Sequence, residues 1–366
     1  MTKPGRRLPL SPPTHPVAVA AGQTLTPEEA RYVEAARAAN TVRGYRADWA
    51  DFTTWCATAG LEPLPADPAT LTGYLTHLAG RGLKVGTLSR RLSAITFAHA
   101  VHDVADPTTG ARVLAVWEGI RRTHTTPPTQ ATPLMPPLLY DVLDACPTTR
   151  RWATRDPEPD LAGLRDRALL LVGFVTALRR SELAALDVDH LAEHPRGLVL
   201  SIPRSKTNQV GGQPELVVIP HGTHPQRCPV TALRTWLDAA TITDGPIFRP
   251  VSKGNRALPR RLHPESVNAL VRNAIQRSGT NPAGYSAHSL RAGFVTEALR
   301  RDVPVDVIQR TTLHRSVDTL MIYAREVRLE TRGGSAMIMA ALAGGLDQGA
   351  GSSTSMSRGQ SSGHGS

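Results

Sequence analysis

The chain has 366 residues, two domains' worth at the usual ~150 residues each, and its 40% hydrophobic content excludes a wholly disordered polymer. Forty-two Lys and Arg against 31 Asp and Glu give a net charge of +11, the balance of a protein that faces a polyanion, nucleic acid before an anionic membrane. Three scattered cysteines, Cys56, Cys146 and Cys228, exclude a disulfide framework or a zinc cluster and suit a reducing bacterial cytoplasm.

Residues 1–24 are Pro-rich and aperiodic, which predicts a flexible tail without a secretory signal. A helical region follows over 25–122. Thr26 and Pro27 form an N-cap and a first-turn proline, and Tyr45, Trp49, Phe52 and Trp55 recur as a helical stripe. Asp67-Pro68 opens a helix carrying Leu71, Tyr74, Leu75 and Leu78, and another follows Gly86-Thr87 with Leu88, Leu92, Ile95 and His99. Four or five helices are expected in this domain. The Pro/Thr-rich stretch over 123–136 reads as a linker.

The second domain is expected over 137–346, mainly helical with a small β-hairpin. Its longest apolar run, Ala168 to Leu178, is half a membrane span and predicts a buried core helix. Two β-rich runs, Gly197 to Ile202 and Glu215 to Ile219, flank a polar loop, a hairpin pattern. Helices are expected near 229–240, 263–278, 288–301, 303–311 and 316–326. An apolar piece, Ala336 to Ala343, stands apart, and 347–366 reads as a disordered Gly/Ser-rich tail.

Four places could carry chemistry. In Leu178-Arg179-Arg-Ser-Glu182, Arg179 is expected to end the apolar helix, with Glu182 one turn on. Lys206, one of only four lysines, sits in the hairpin loop. His288 and Arg291 are three residues apart on one helical face, and His314 precedes Tyr323 by nine residues. Singly, each has an ordinary reading: a surface ion pair, a solvated lysine, a satisfied histidine, a core tyrosine. Together, two arginines, two histidines, a lysine and a tyrosine without paired carboxylates make a site for a phosphodiester, with no metal and no cofactor expected. Arginine forks grip nonbridging oxygens, a phenol can serve as nucleophile, and a protonated lysine can donate to a leaving alkoxide.

In order and local context these residues resemble the tyrosine recombinases, also called the phage integrase family: Leu-Arg-x-Ser-Glu-Leu, a hairpin Lys, His-x-Leu-Arg, then His nine residues before Tyr. The phrases Thr41-Val-Arg-Gly-Tyr45, Phe52-Thr-Thr-Trp-Cys56 and Thr87 to Ile95, with the following His99, are similar to the family's SAM-like core-binding domain, so the resemblance spans about 25–345. It implies that Arg179 and Arg291 clamp the scissile phosphate and Glu182 orients the site. Lys206 would protonate the 5′-oxygen, His288 and His314 would hydrogen-bond the phosphate and assist proton transfer, and Tyr323 would form a 3′-phosphotyrosyl link.

The resemblance further implies a site-specific DNA recombinase closing as a two-domain clamp on double-stranded DNA, working as a homotetramer without metal or ATP, in the cytoplasm and not on a membrane. Accessory directionality factors are left open. The Ala336 to Ala343 segment would be the exchanged interface helix. Arg43, Arg46, Lys84, Thr87, Arg90 and Arg91 are candidate DNA contacts, with a solvated helix face as the ordinary alternative. Two other functions use similar parts: a type IB topoisomerase, which the apolar segment after Tyr323 disfavours, and a catalytically idle DNA-binding regulator, which six reactive groups disfavour. Two positions depart from the family pattern: Ala177 and Leu313 stand where Gly is usual, and each is strained if its backbone needs a positive φ.

Overall fold

The structure is a computed structural model, and it describes residues 26–126, 130–151, 156–202, 214–314, 316, 317 and 320. The expected 316–326 helix lies largely, and the Ala336 to Ala343 segment and both tails wholly, outside the described residues. The chain divides into two units, Met1–Thr129 and Gln130–Ser366.

The first unit is helical, as its periodicity predicts. α1 (Pro27–Ala35) starts on a capping box in which the Glu29 amide donates to Thr26 Oγ1 and the Thr26 amide to Glu29 Oε2. It is followed by α2 (Ala39–Ala59), α3 (Pro68–Gly80), α4 (Val85–Val101) and α5 (Ala111–His124). Asp67 caps α3 by accepting from the Ala69 amide at 2.6 Å. Phe52, Leu71, Tyr74, Leu75, Leu78, Leu88 and Ile95 make the core, with Phe52 and Tyr74 edge to face at 5.0 Å. α4 begins two residues before the expected Thr87, because Lys84 already occupies the N-cap position.

His99 has a structural task in this core. Its Nε2 accepts from the Ala66 amide at 3.0 Å and its Nδ1 donates to the Ile95 carbonyl at 2.8 Å. It thereby ties the loop before α3 to α4.

In the second unit α6 (Leu138–Asp144) leads to a short ribbon, β1 (Thr149–Arg150) with β2 (Glu158–Pro159), and then to α7 (Leu161–Thr176). α7 is the expected buried helix: Ala168, Leu169, Leu170, Leu171 and Val172 are all buried. α8 (Arg180–Ala184) follows. The antiparallel sheet holds β3 (Leu191–His194), β4 (Gly197–Ile202) and β5 (Glu215–Pro220) in that order, with Val199 opposite Val218. The hairpin of β4 and β5 matches the expectation. β3 was not foreseen, since its Leu-Ala-Glu-His sequence carries no β-branched residue.

α9 (Pro229–Ala239) packs the sheet against α7 through Val230, Leu233 and Trp236, whose indole donates to the Ile247 carbonyl at 2.8 Å. α10 (Pro264–Arg277), α11 (His288–Arg300) and α12 (Val305–Thr312) complete the described helices. Helix α11 seats against α7 over Gly173, where an added Cβ would lie 2.9 Å from Leu290 Cδ1. No helix among the described residues is long and apolar enough to cross a membrane.

Two expectations are corrected. The linker is shorter than 123–136. α5 runs to His124, and by Thr132 the chain is already bonded to the second unit, with the Thr132 amide donating to Gly284 O at 3.0 Å and the Leu134 amide to Ser289 O at 2.9 Å. Leu134 is fully buried, and its carbonyl comes so near Gly293 that a Cβ there would lie 2.0 Å away. Proline content suggested a free tether; one leucine in a closed slot overrides it.

Arg179 also does not end the apolar helix. α7 stops at Thr176, Ala177 turns the chain, and Arg179 is the N-cap of α8.

That turn is left-handed: Ala177 has φ 49° and ψ 27°, and Leu313, which closes α12, has φ 55° and ψ 42°. Both non-glycine departures therefore sit in the strained region the sequence raised as a condition. A left-handed alanine costs about 1–2 kcal/mol, comparable to the sum of ~0.5–1 kcal/mol of glycine entropy and ~0.8 kcal/mol for a buried methyl. Ala177→Gly is thus expected to leave stability within about 0.5 kcal/mol of wild type. Ala168→Gly, equally buried but in the α7 interior, should lose about 1.5 kcal/mol in urea unfolding. Equal losses at the two positions would show that the turn carries no strain.

Candidate active site

The left-handed turn between α7 and α8 aims the Ala177 carbonyl at Arg291, whose Nη1 donates to it at 2.7 Å. Arg291 is only 2% exposed. A charge so deep needs fixed acceptors, and this carbonyl is one. Two residues on, Arg179 is gripped at both ends by Glu182: its amide donates to Oε2 at 2.8 Å and its guanidinium to Oε1 at 2.8 Å. Glu182 is buried while Arg179 keeps an open face. The carboxylate therefore orients the arginine from below, an arrangement the i, i+3 spacing predicts.

The first turn of α11 is held by its own serines and by α10. The Ser286 amide donates to Ser289 Oγ at 2.9 Å, the His288 amide to Ser286 Oγ at 3.2 Å, and the Ala287 amide to Asn268 Oδ1 at 3.0 Å. This fixes the start of the helix that carries His288 and Arg291. His314 comes from the other side, placed by the left-handed Leu313 and by paired bonds with Gln309: the His314 amide donates to Gln309 O at 3.2 Å, and Gln309 Nε2 to His314 O at 2.9 Å.

These four side chains lie near enough to act on one another electrostatically. His288 is exposed overall, yet desolvation holds its pKa below the ordinary histidine value, and the nearby Arg291 and Arg179 add to this. Burial, Arg291, Arg179 and His288, in that order, pull His314 down to about 3. Burial and the two arginines together disfavour the charged form of both imidazoles, and the guanidiniums carry positive charge into the cluster. Lys206 and Tyr323 lie outside the described residues. Among the described residues, no group of three or more His, Cys, Asp or Glu side chains is placed to hold a metal ion.

In the first unit the candidate contacts separate. Arg43, Arg46 and Lys84 are exposed, and Thr87 is half-buried in the first turn of α4. Arg90 is half-exposed, yet its Nε and Nη2 donate to the buried Asp48 at 2.7 and 2.9 Å. Arg91 departs from the expected exposed face: it is largely buried, bonds Asp51 and the Tyr74 hydroxyl, and lies 3.9 Å from Asp48. It acts as an internal counterion, and burial with nearby Asp48 raises the Tyr74 phenol in the same cluster. The Asp48 and Asp51 positions one turn apart on α2 were the signal for this, since carboxylates facing a core demand buried cations.

Residues 153–328 match the model of the Phage integrase family, and residues 30–100 match that of the Phage integrase, N-terminal SAM-like domain. An integrase/recombinase XerD homolog of Selenomonas ruminantium is 35% identical over 289 residues, covering 78% of this chain and 81% of that protein. The chain belongs to the phage integrase family. The tyrosine recombinase XerD of Mycobacterium tuberculosis is 30% identical to this family member over 301 residues, covering 80% and 88% of the two chains.

Among solved structures, the XerH site-specific recombinase bound to palindromic difH substrate, a post-cleavage complex, aligns with a TM-score of 0.52 at 16% identity over 75% of this chain and 72% of that one. A lambda integrase tetramer bound to a Holliday junction aligns with a TM-score of 0.51 at 14% identity over 83% and 78%. Both likenesses concern the fold of this phage integrase family member.

The depressed histidines give the family member a pH signature. An unfolded histidine takes up its proton near pH 6.5, whereas folded His314 refuses it until about pH 3. Between those values the unfolded chain binds more protons, so stability is full above pH 6.5 and declines as pH falls. The melting temperature is expected to drop from pH 7.5 to pH 5.5, and His314→Gln should flatten that drop while the carboxylates remain ionised. An unchanged slope in the variant would refute the assignment.

Proposed function

We propose that this chain is a site-specific DNA recombinase that cuts and rejoins double-stranded DNA through a 3′-phosphotyrosyl intermediate. The observation that carries the reading is the convergence of Arg179, Arg291, His288 and His314 in one positively charged site where both histidines are held neutral. A phosphodiester anion supplies the charge such a site lacks, and the arginine forks match its nonbridging oxygens.

In this reading the Tyr323 oxygen attacks the scissile phosphorus and the P–O5′ bond breaks. The phenol proton passes to a basic group of the site, for which the neutral histidines are suited. Lys206 donates a proton to the leaving 5′-oxygen. Arg179 and Arg291 offset the charge that grows on the nonbridging oxygens, which makes a metal dispensable. The phosphotyrosyl bond keeps the energy of the broken one, so rejoining runs the same steps backward without ATP.

Arg43, Arg46, Lys84 and the outer face of Arg90 would meet the DNA backbone. Relatives named XerD and a lambda integrase tetramer bound to a Holliday junction support the recombinase reading and a tetrameric assembly. The two units, Met1–Thr129 and Gln130–Ser366, would divide the labour between DNA grip and chemistry.

On a nicked duplex carrying its recombination site, in EDTA, the protein should form an SDS-resistant, protease-sensitive adduct that Tyr323→Phe abolishes without loss of DNA binding. Adduct formation by the Phe variant, or a strict need for Mg²⁺, would overturn the mechanism. With the same duplex, Lys206→Ala should cleave poorly but recover on a 5′-bridging phosphorothiolate, whose thiolate leaves without a proton. Arg291→Ala should not recover. Equal Lys206→Ala defects on both substrates would reduce Lys206 to a binding role.

A further inference from the structure

The amide of Ala287, the residue before α11, can only donate, so the side-chain atom of Asn268 that meets it at 3.0 Å is the oxygen, Oδ1. Asn268 Nδ2 then faces the other way, where it donates to Glu265 Oε2 at 3.2 Å, one turn earlier on α10. Glu265 in turn holds Arg180, the first residue of α8, through both of its oxygens: Nη1 donates to Oε2 at 2.8 Å and Nη2 lies 2.7 Å from Oε1. A polar chain thus runs from α8 across α10 to the start of α11. Its two ends are the immediate neighbours of Arg179 and His288.

We infer that Asn268 is a positioning residue: through Glu265 and Arg180 it sets how α8 is turned relative to α11, and so how Arg179 faces His288 and Arg291. The bond from Arg291 to the Ala177 carbonyl already joins α11 to the turn before α8, but one bond is a pivot about which the two helices can rotate. The chain across α10 attaches each helix at a second point, and two attachments remove that rotation. Arg272 adds to the hold on the α11 side, since its Nε donates to the Tyr285 carbonyl at 2.8 Å. Stability does not explain the chain. The Arg180 and Glu265 side chains are 44% and 60% exposed, and an ion pair in that setting contributes little to folding. What it supplies is direction: a guanidinium fork on a carboxylate restricts angle as well as distance, and reacting groups are sensitive to small misplacements caused from afar. At Asn268 the demand is stricter still, because an amide offers an acceptor to one neighbour and a donor to the other.

The inference rests on the proposed phosphodiester chemistry, so its first measurement is the rate of phosphotyrosyl adduct formation on the nicked duplex. Asn268→Leu, of similar size and the same charge, should slow the adduct about tenfold or more, while its Kd for the duplex stays that of the wild type. Asn268→Asp keeps the acceptor for Ala287 but sets a carboxylate against Glu265, and should be slow as well. Adding Glu265→Gln to it exchanges amide and carboxylate: the altered pair can again bond to each other, accept from Ala287 and accept from Arg180. That double variant has the wild-type net charge and should recover the wild-type rate. Poor folding of a single variant does not imitate such a rescue. An unchanged rate in Asn268→Leu, a Kd that weakens in step with the rate, or a double variant as slow as Asn268→Asp alone overturns the inference.

The second measurement needs no DNA. In the full-length protein, hydrogen exchange of the Ala287 amide, followed by NMR, should be faster in Asn268→Leu than in the wild type and slow again in the double variant. An exchange rate indifferent to Asn268 would show that the bond is not made, and would overturn the inference by itself. A wild type that forms no adduct, with Ala287 protected by Asn268 as described, would instead overturn the recombinase reading, and with it the catalytic half of the inference.

Discussion

Burying the Arg291 guanidinium is the constraint around which the catalytic unit is arranged. A cation at 2% exposure is tolerable only with acceptors fixed around it. The Ala177 carbonyl at 2.7 Å reaches it because the chain turns left-handed between α7 and α8. The same turn places Arg179 at the N-cap of α8, where Glu182 can hold its backbone and its side chain together. Once both arginines are fixed, the histidines near them have little choice of charge. The lowered proton affinity of both imidazoles comes first from burial, and the fixed arginines add to it.

Much of this was readable from the residues. Caps at Thr26 and Asp67, the aromatic stripe of α2 and the β-hairpin follow from patterns that span only a few residues, and such patterns leave marks in sequence. The candidate set could be named for a different reason, since the chemistry proposed for it restricts residue types and their order. What escaped depends on contacts between distant segments. Leu134 is a plain leucine until Gly293 opens a slot for it, and Arg91 looks like any helix-surface arginine until Asp48 and Asp51 turn toward it. β3 lacks β-branched residues and forms only because β4 offers its edge.

The strain at Ala177 and Leu313 stood between these cases. Their identity at positions where the family favours glycine was visible, and the sign of φ was not. The structure shows both to be left-handed, and each lies next to the residues that define the site, one before Arg179 and Arg291's carbonyl partner, the other directly before His314. Strained backbone persists where surroundings over-determine it. Here the surroundings are a buried methyl at Ala177 and, at Leu313, a side chain packed on the main core.

The bonds of Thr132 to Gly284 and of Leu134 to Ser289 give the connecting chain a further significance. Ser289 lies between His288 and Arg291 on α11. The connector is therefore moored at the lever arm of the catalytic helix, not at a remote surface. The segment from Thr132 to Leu134 thus belongs to the fold of the second unit, and its backbone bonds end within one helical turn of both side chains.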